Sequence, residues 1–340
     1  MTTFSRAAAM VMTVGVLSGS ACGRTDPPPA ARTDVPEPAV APTPAAAIEG
    51  TVVPLPGAPE GLAFDPVTNL LAVAVRDPGG IVLVDGTTGA EKTRIALPGA
   101  ARHLTLAAPG GPVLVPTENN DRLYRIALPA GTVVADEAVG RQPHDVALSA
   151  DGTAFVGDEL ADSVSLLAGG TRTVVPAPVQ PGGVAALIDG SIVAVVGVRG
   201  RRIEAFSSDG RSLGAAACGV GPTHIEAGLG NLFYVADTQG DALLTYEADT
   251  EGIRQIARTP TGAGGAPYGL VVDAERKKVY VTLTGTNQLR SFAIDAKRLV
   301  AGKTWATVRQ PNDIAVDPAT GRLIVAGTAD GQLQLLDPAA

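Results

Sequence analysis

From residue 48 onward, short apolar runs alternate with polar turns, and the alternation itself repeats. Four copies are plain: GLAFDPVTNLLAVAV (61–75), DVALSADGTAFVGD (145–158), GLVVDAERKKVYVTL (269–283) and DIAVDPATGRLIVAG (313–327). Each reads as an apolar strand, a tight turn rich in Asp, Pro, Gly or Asn, and a second apolar strand. A third strand follows, as in GIVLVD (80–85), SVSLL (163–167), ALLTY (242–246) and QLQLL (332–336), and a turn such as SSDG (207–210) leads to a fourth. A proline opens most units, at Pro59, Pro143, Pro181, Pro222, Pro267 and Pro311, with Ala101 in its place once. Spacings of 42, 42, 38, 41, 45 and 44 residues, with four strands per unit, are those of propeller blades. The seven anchors therefore predict an all-β, seven-bladed β-propeller over 48–340. The last unit stops at its third strand near Leu336, while EGTVVPLPG (49–57) precedes the first anchor as a lone strand. Pairing the two closes the ring and leaves no bare edge. A β-sandwich with a second β domain would not produce the period.

The third and sixth units, AFVGDELADSVSLL (154–167) and VYVTLTGTNQLRSF (279–292), resemble the YVTN repeat of bacterial YncE-like propellers, with LFYVADTQGDALL (232–244) a looser match. Tyr280-Val281-Thr282 matches the first three letters, and Leu283 stands where the family has Asn. The resemblance spans all seven units and is weakest in the fourth, SIVAVVGVRGRRIEAF (191–206). Trp305, the only tryptophan, has no WD context, and the blade count separates the chain from six-bladed lactonases.

Residues 1–22 have a different pattern. Arg6 precedes an apolar run from Ala7 to Leu17, then small residues and Cys22, the order of a secretory signal and too short to span a bilayer. The Gly19-Ser20-Ala21-Cys22 end resembles a bacterial lipobox, with Gly19 where the pattern prefers Leu; this implies a lipidated Cys22 on the cell membrane or its periplasmic face. An ordinary signal cut near Ala21 is the alternative. Residues 23–47 are dominated by Pro and Ala, with little to bury, and read as an extended tether.

Composition narrows the function. The 340 residues carry a net charge of −8, 45% hydrophobic residues and only two cysteines, Cys22 and Cys218. The acidic balance disfavours nucleic acid, and two cysteines cannot staple a domain of this size. No haem-attachment, HExxH, P-loop or GxSxG motif is present, and no cofactor is expected beyond a divalent metal.

In a propeller, loops from all blades converge on one mouth, so residues one and two past each anchor are the candidates for binding. These include Glu60, Arg102, His103, His144, Asp145, His224, Tyr268, Asn312 and Asp313, and all three histidines of the chain are among them. Polar groups at this repeat position also serve to satisfy strand ends, and His103, His144 and His224 offer a candidate metal set with Asp145 or Asp313. Four residues past the anchor, Glu226 replaces the small or apolar residue of the other blades and calls for a partner, His224 or Arg201/Arg202. Asp77, Glu118, Asp158, Glu159 and Asp237, against Arg76 and Arg199, predict an acidic mouth. Cys218 falls in an outer strand as a small buried apolar residue. The leading expectation is a tethered binding module for a protein, peptide or envelope polymer. The alternatives are a metal-dependent lyase or lactonase-like enzyme using His144 or His224/Glu226, and an accessory to a periplasmic redox system.

Overall fold

A computed structural model of the chain describes residues 1, 2 and 35–338; the signal-like segment, Cys22 and the first part of the Pro/Ala stretch lie outside them. The strands form seven four-stranded antiparallel sheets in a ring, as the repeat predicts. Six innermost strands begin on the anchoring proline, from Pro59–Asp65 to Pro311–Val316, while the second blade, with Ala101 at the anchor, keeps only Thr105–Leu106. The ladder shifts register just after each of these prolines, as between Pro143 and Asp145 or Pro311 and Asp313. A proline has no amide to donate, so it is tolerated at a strand start, and the bulge beside it releases the next residues from ladder pairing. Those released residues are the ones that the sequence pattern singled out.

The residue before the proline has a matching role. Gln142, Gln180, Ala266 and Gln310 sit in the left-handed region, with φ between 49° and 60°. Each amide is held by a carboxylate or amide oxygen from a hairpin residue itself left-handed: Asp121 on Gln142 at 2.9 Å, Asp162 on Gln180 at 2.9 Å, Asp241 on Ala266 at 2.9 Å and Asn287 on Gln310 at 3.0 Å. Left-handed backbone before proline is strained, and this repeated bracket offsets the strain at the rim of the mouth.

Seven apolar clusters fill the seven interfaces between neighbouring blades. A central strand such as Leu70–Arg76 or Ile192–Gly197 is covered on both faces by adjacent sheets, which is why it reads as a continuous apolar run. Thr51–Pro54 closes the ring against Gln332–Leu336, with Thr51 opposite Leu335 and Val53 opposite Leu333. Cys218 lies just past the outermost strand Ser212–Ala217 and is fully buried, and burial pushes its thiol up to about 12.

Residues 35–42, in the stretch expected to be tether, are laid along the ring. The Ala39 amide donates to Thr284 Oγ1 at 3.1 Å, the Ala41 amide to Gln310 Oε1 at 2.8 Å, and Gln310 Nε2 returns a bond to the Ala39 carbonyl at 2.8 Å. Asn287 Nδ2 donates to the Pro42 carbonyl at 2.7 Å and Arg309 Nε to the Ala41 carbonyl at 3.3 Å. Pro36 and Ala41 are buried.

Candidate functional site

The loops before the innermost strands and the turns between second and third strands converge on one face, and their side chains form two levels around the axis. The upper level is a polar pocket of about 120 Å³, walled by Arg102, Gln142, His144, Glu159, Gln180 and Tyr268 and roofed by Val35, Pro36 and Glu37. Below it the channel widens to about 490 Å³ and carries Asp145, Glu226 and Asp313 on its wall. His224 borders both.

Charge in the upper level is closely paired. Glu118 accepts from Arg76 Nη2 at 3.2 Å and is ion-paired, without a hydrogen bond, to Arg102 Nε at 3.0 Å, and Arg102 also reaches Glu37 at 3.3 Å. Glu159 is gripped by two amides, Gln142 Nε2 at 2.7 Å and Gln180 Nε2 at 2.8 Å. Asn312 Nδ2 donates to Glu60 at 3.0 Å, yet burial outweighs that bond and raises the Glu60 carboxyl above its ordinary range. Only part of the expected acidic set faces the mouth. Asp158 and Asp237 turn inward instead, capping the Gly140 amide at 2.8 Å and the Gly221 amide at 2.7 Å. Both are almost wholly buried.

Between the two levels lies a floor of rings. His103 packs tilted against His144, with 4.8 Å between centroids, and edge-on against His224 at 4.3 Å, and His224 packs tilted against Tyr268 at 4.1 Å. Burial, reinforced by the neighbouring imidazoles, holds His103 well below the usual imidazole range and His224 down at about 3, so both are neutral. His144 Nδ1 lies 2.7 Å from the Gly182 carbonyl and is therefore a protonated nitrogen of the ring, while Nε2 lies 4.0 Å from Glu118. Nε2 of His103, Nε2 of His224, Glu118 Oε1 and Gln180 Oε1 are buried without a hydrogen-bond partner among the described residues. Such atoms are costly to leave unmet unless something else meets them.

The sequence brought the three histidines to one face, and the structure puts their rings in contact. It does not put their nitrogens in one metal-sized group. Among the described residues, the ligand atoms that gather within 4.8 Å of one another belong to Glu118, His144 and Glu159.

Asp145 and Asp313 sit one level deeper than the mouth and act as clamps between blades. Asp145 accepts from the Val146 and Val184 amides, both at 2.8 Å, and Asp313 from the Ile314 and Leu62 amides, both at 2.8 Å. Even so, burial raises Asp145 to about 6 and Asp313 to about 8. Glu226 lacks the partner that the sequence called for. It forms no hydrogen bond or ion pair among the described residues; Arg201 Nε is engaged by the Val220 carbonyl at 2.8 Å, and Arg202 is exposed. Burial, with Asp145 and Asp313 nearby, raises Glu226 to about 8.

The rim glutamines Gln142, Gln180 and Gln310 were not picked out from the sequence. The signal was present: the same residue type directly precedes three of the anchoring prolines.

Comparison with known proteins adds the fold and little else. No protein-family model and no curated protein matches the chain. Among solved structures, it is similar to Kuenenia stuttgartiensis hydrazine synthase, with a TM-score of 0.72 and 16% identity over 86% of this chain and 99% of that one. It is also similar to Staphylococcus aureus virginiamycin B lyase, at 0.70 and 13% over 85% and 99%. A chain of a mitotic checkpoint complex gives 0.71 and 14% over 96% and 98%. At such identities the likeness establishes the seven-bladed propeller alone.

Proposed function

We propose that the protein is a non-enzymatic binding module of the cell envelope, exported, lipidated at Cys22, and presenting its mouth to a protein, peptide or envelope polymer. One observation carries this reading: the mouth holds an extended segment, 35–42, largely through its main chain, with side chains of Thr284, Asn287, Arg309 and Gln310 as partners. Side chains that read peptide backbone at a convergence of rigid loops suit an extended ligand. The test is a photo-reactive residue at Leu160, exposed beside Glu159 at the mouth, against one at Val67, exposed on the opposite face. In cells, covalent adducts should form from Leu160 and not from Val67; equal adducts from both, or none from Leu160, refute the reading.

A second reading, metal-assisted lyase or lactonase-like chemistry at the mouth, is favoured by the Glu118, His144 and Glu159 group. The two guanidiniums already on Glu118 weigh against it. Metal bound stoichiometrically by the purified chain, and lost in both His144→Ala and Glu159→Gln, would support it.

A further inference from the structure

The segment that occupies the mouth belongs to the chain itself, and its fastening is lopsided. Main-chain groups of residues 39–42 make five hydrogen bonds with the ring, donating two and accepting three, all with Thr284, Asn287, Arg309 and Gln310. Its one ion pair to the ring, Glu37 with Arg102, lies at the end that roofs the pocket. Gln310 grips it on both sides, accepting from the Ala41 amide and donating to the Ala39 carbonyl, much as a neighbouring strand would. Such bonds do not read side-chain identity. Selectivity rests on the Glu37 carboxylate and on the small, buried Ala41.

We propose that residues 35–42 are an intramolecular occupant of a peptide-binding mouth, and that the partner is an extended, proline-containing segment with a carboxylate that displaces them and takes the place of Glu37 on Arg102. The inference rests on the reading of the mouth as a binding face and adds a competitor in cis. Beneath the occupant lie polar atoms that it does not satisfy, Gln180 Oε1 and the His224 Nε2. A longer or better-matched segment can reach them. Pro36, Pro38 and Pro42 keep the occupant extended and lower the cost of docking it, while its few contacts keep it exchangeable. Tethering supplies a high effective concentration, so a weak contact suffices to close the mouth.

The test uses a dye-labelled peptide with the sequence of residues 35–44 and three full-length proteins: the unmodified chain, the double variant Glu37→Arg/Ala41→Asp, and that variant with Gln310→Ala. Hydrogen exchange at the Ala39 and Ala41 amides reports whether the segment has left. The double variant should lose that protection and bind the peptide at least tenfold more tightly than the unmodified chain, and Gln310→Ala should abolish the gain. Equal binding by the unmodified chain and the double variant overturns the proposal, as does no binding by a double variant whose amides are free. Leu160 photo-adducts separate this failure from that of the underlying reading. If they persist unchanged in the double variant, the mouth still binds but is not gated; if they are absent from both proteins, the binding face itself is refuted.

Discussion

Glu226→Gln is the substitution whose effect follows most directly from the channel. The carboxylate has neither a cation nor a hydrogen bond among the described residues, and burial with two nearby aspartates raises it to about 8. An unfolded chain releases this proton near the ordinary glutamate value, so between roughly pH 4.5 and 8 folding takes the proton up. The sign follows: the contribution is fully present below the unfolded value and is lost as pH rises through the folded one. One proton taken up on folding changes stability by about 1.36 kcal/mol per pH unit at most. Part of the side chain is open to the channel, so solvent screening reduces the change between pH 5.5 and 7.5 to about 1–2 kcal/mol. Replacing Glu226 by Gln removes that slope, and it also lets Asp145 and Asp313 ionise more readily. Urea denaturation of both proteins at fixed ionic strength, followed by the fluorescence of buried Trp305, gives the difference at each pH. The stability of the variant relative to the parent should grow by about 1–2 kcal/mol across that interval. A difference that is flat with pH, or that shrinks as pH rises, refutes the reasoning.

Other expectations concern the clamps, the floor, the closing strand and the thiol. Asp145→Ala strands the Val146 and Val184 amides and should cost about 1–3 kcal/mol in the same denaturation assay. Because His103 and His224 are neutral when folded and protonate when unfolded, stability should fall as pH drops below about 6.5. His224→Phe should weaken that fall, and an unchanged acid limb counts against the neutral floor. Deleting 51–54 bares the edge of the last blade, and light scattering should then detect self-association together with a lower unfolding temperature. Cys218 should resist alkylation in the native protein and react once it is denatured.

The ring was legible in the sequence because its causes are local. A sheet packed between two sheets needs apolar residues on both faces, which produces runs such as IVAVVG, and a proline can open a strand only where no ladder amide is required. The same logic put His103, His144 and His224 on one face. What the sequence hid depends on direction. Asp158 and Glu159 are adjacent in one turn, yet the first points inward to cap Gly140 while the second faces the pocket between Gln142 and Gln180. Composition marks both alike. The occupant was hidden for a different reason. A Pro/Ala stretch has little apolar surface to announce a docking site, and 39–42 are held through main-chain groups that any sequence carries. Their partner Gln310 does leave a trace, since it shares its place before an anchoring proline with Gln142 and Gln180.

The most direct test of the mouth as a binding face repeats the Leu160 photo-crosslinking in a chain carrying Gln142→Ala and Gln180→Ala, which frees Glu159 and removes two rim amides without touching the blade cores. Adduct yield should fall at least tenfold while the unfolding temperature moves by only a few degrees. Unchanged adducts from a folded double variant would contradict the account, because the partner would then be held without the rim amides.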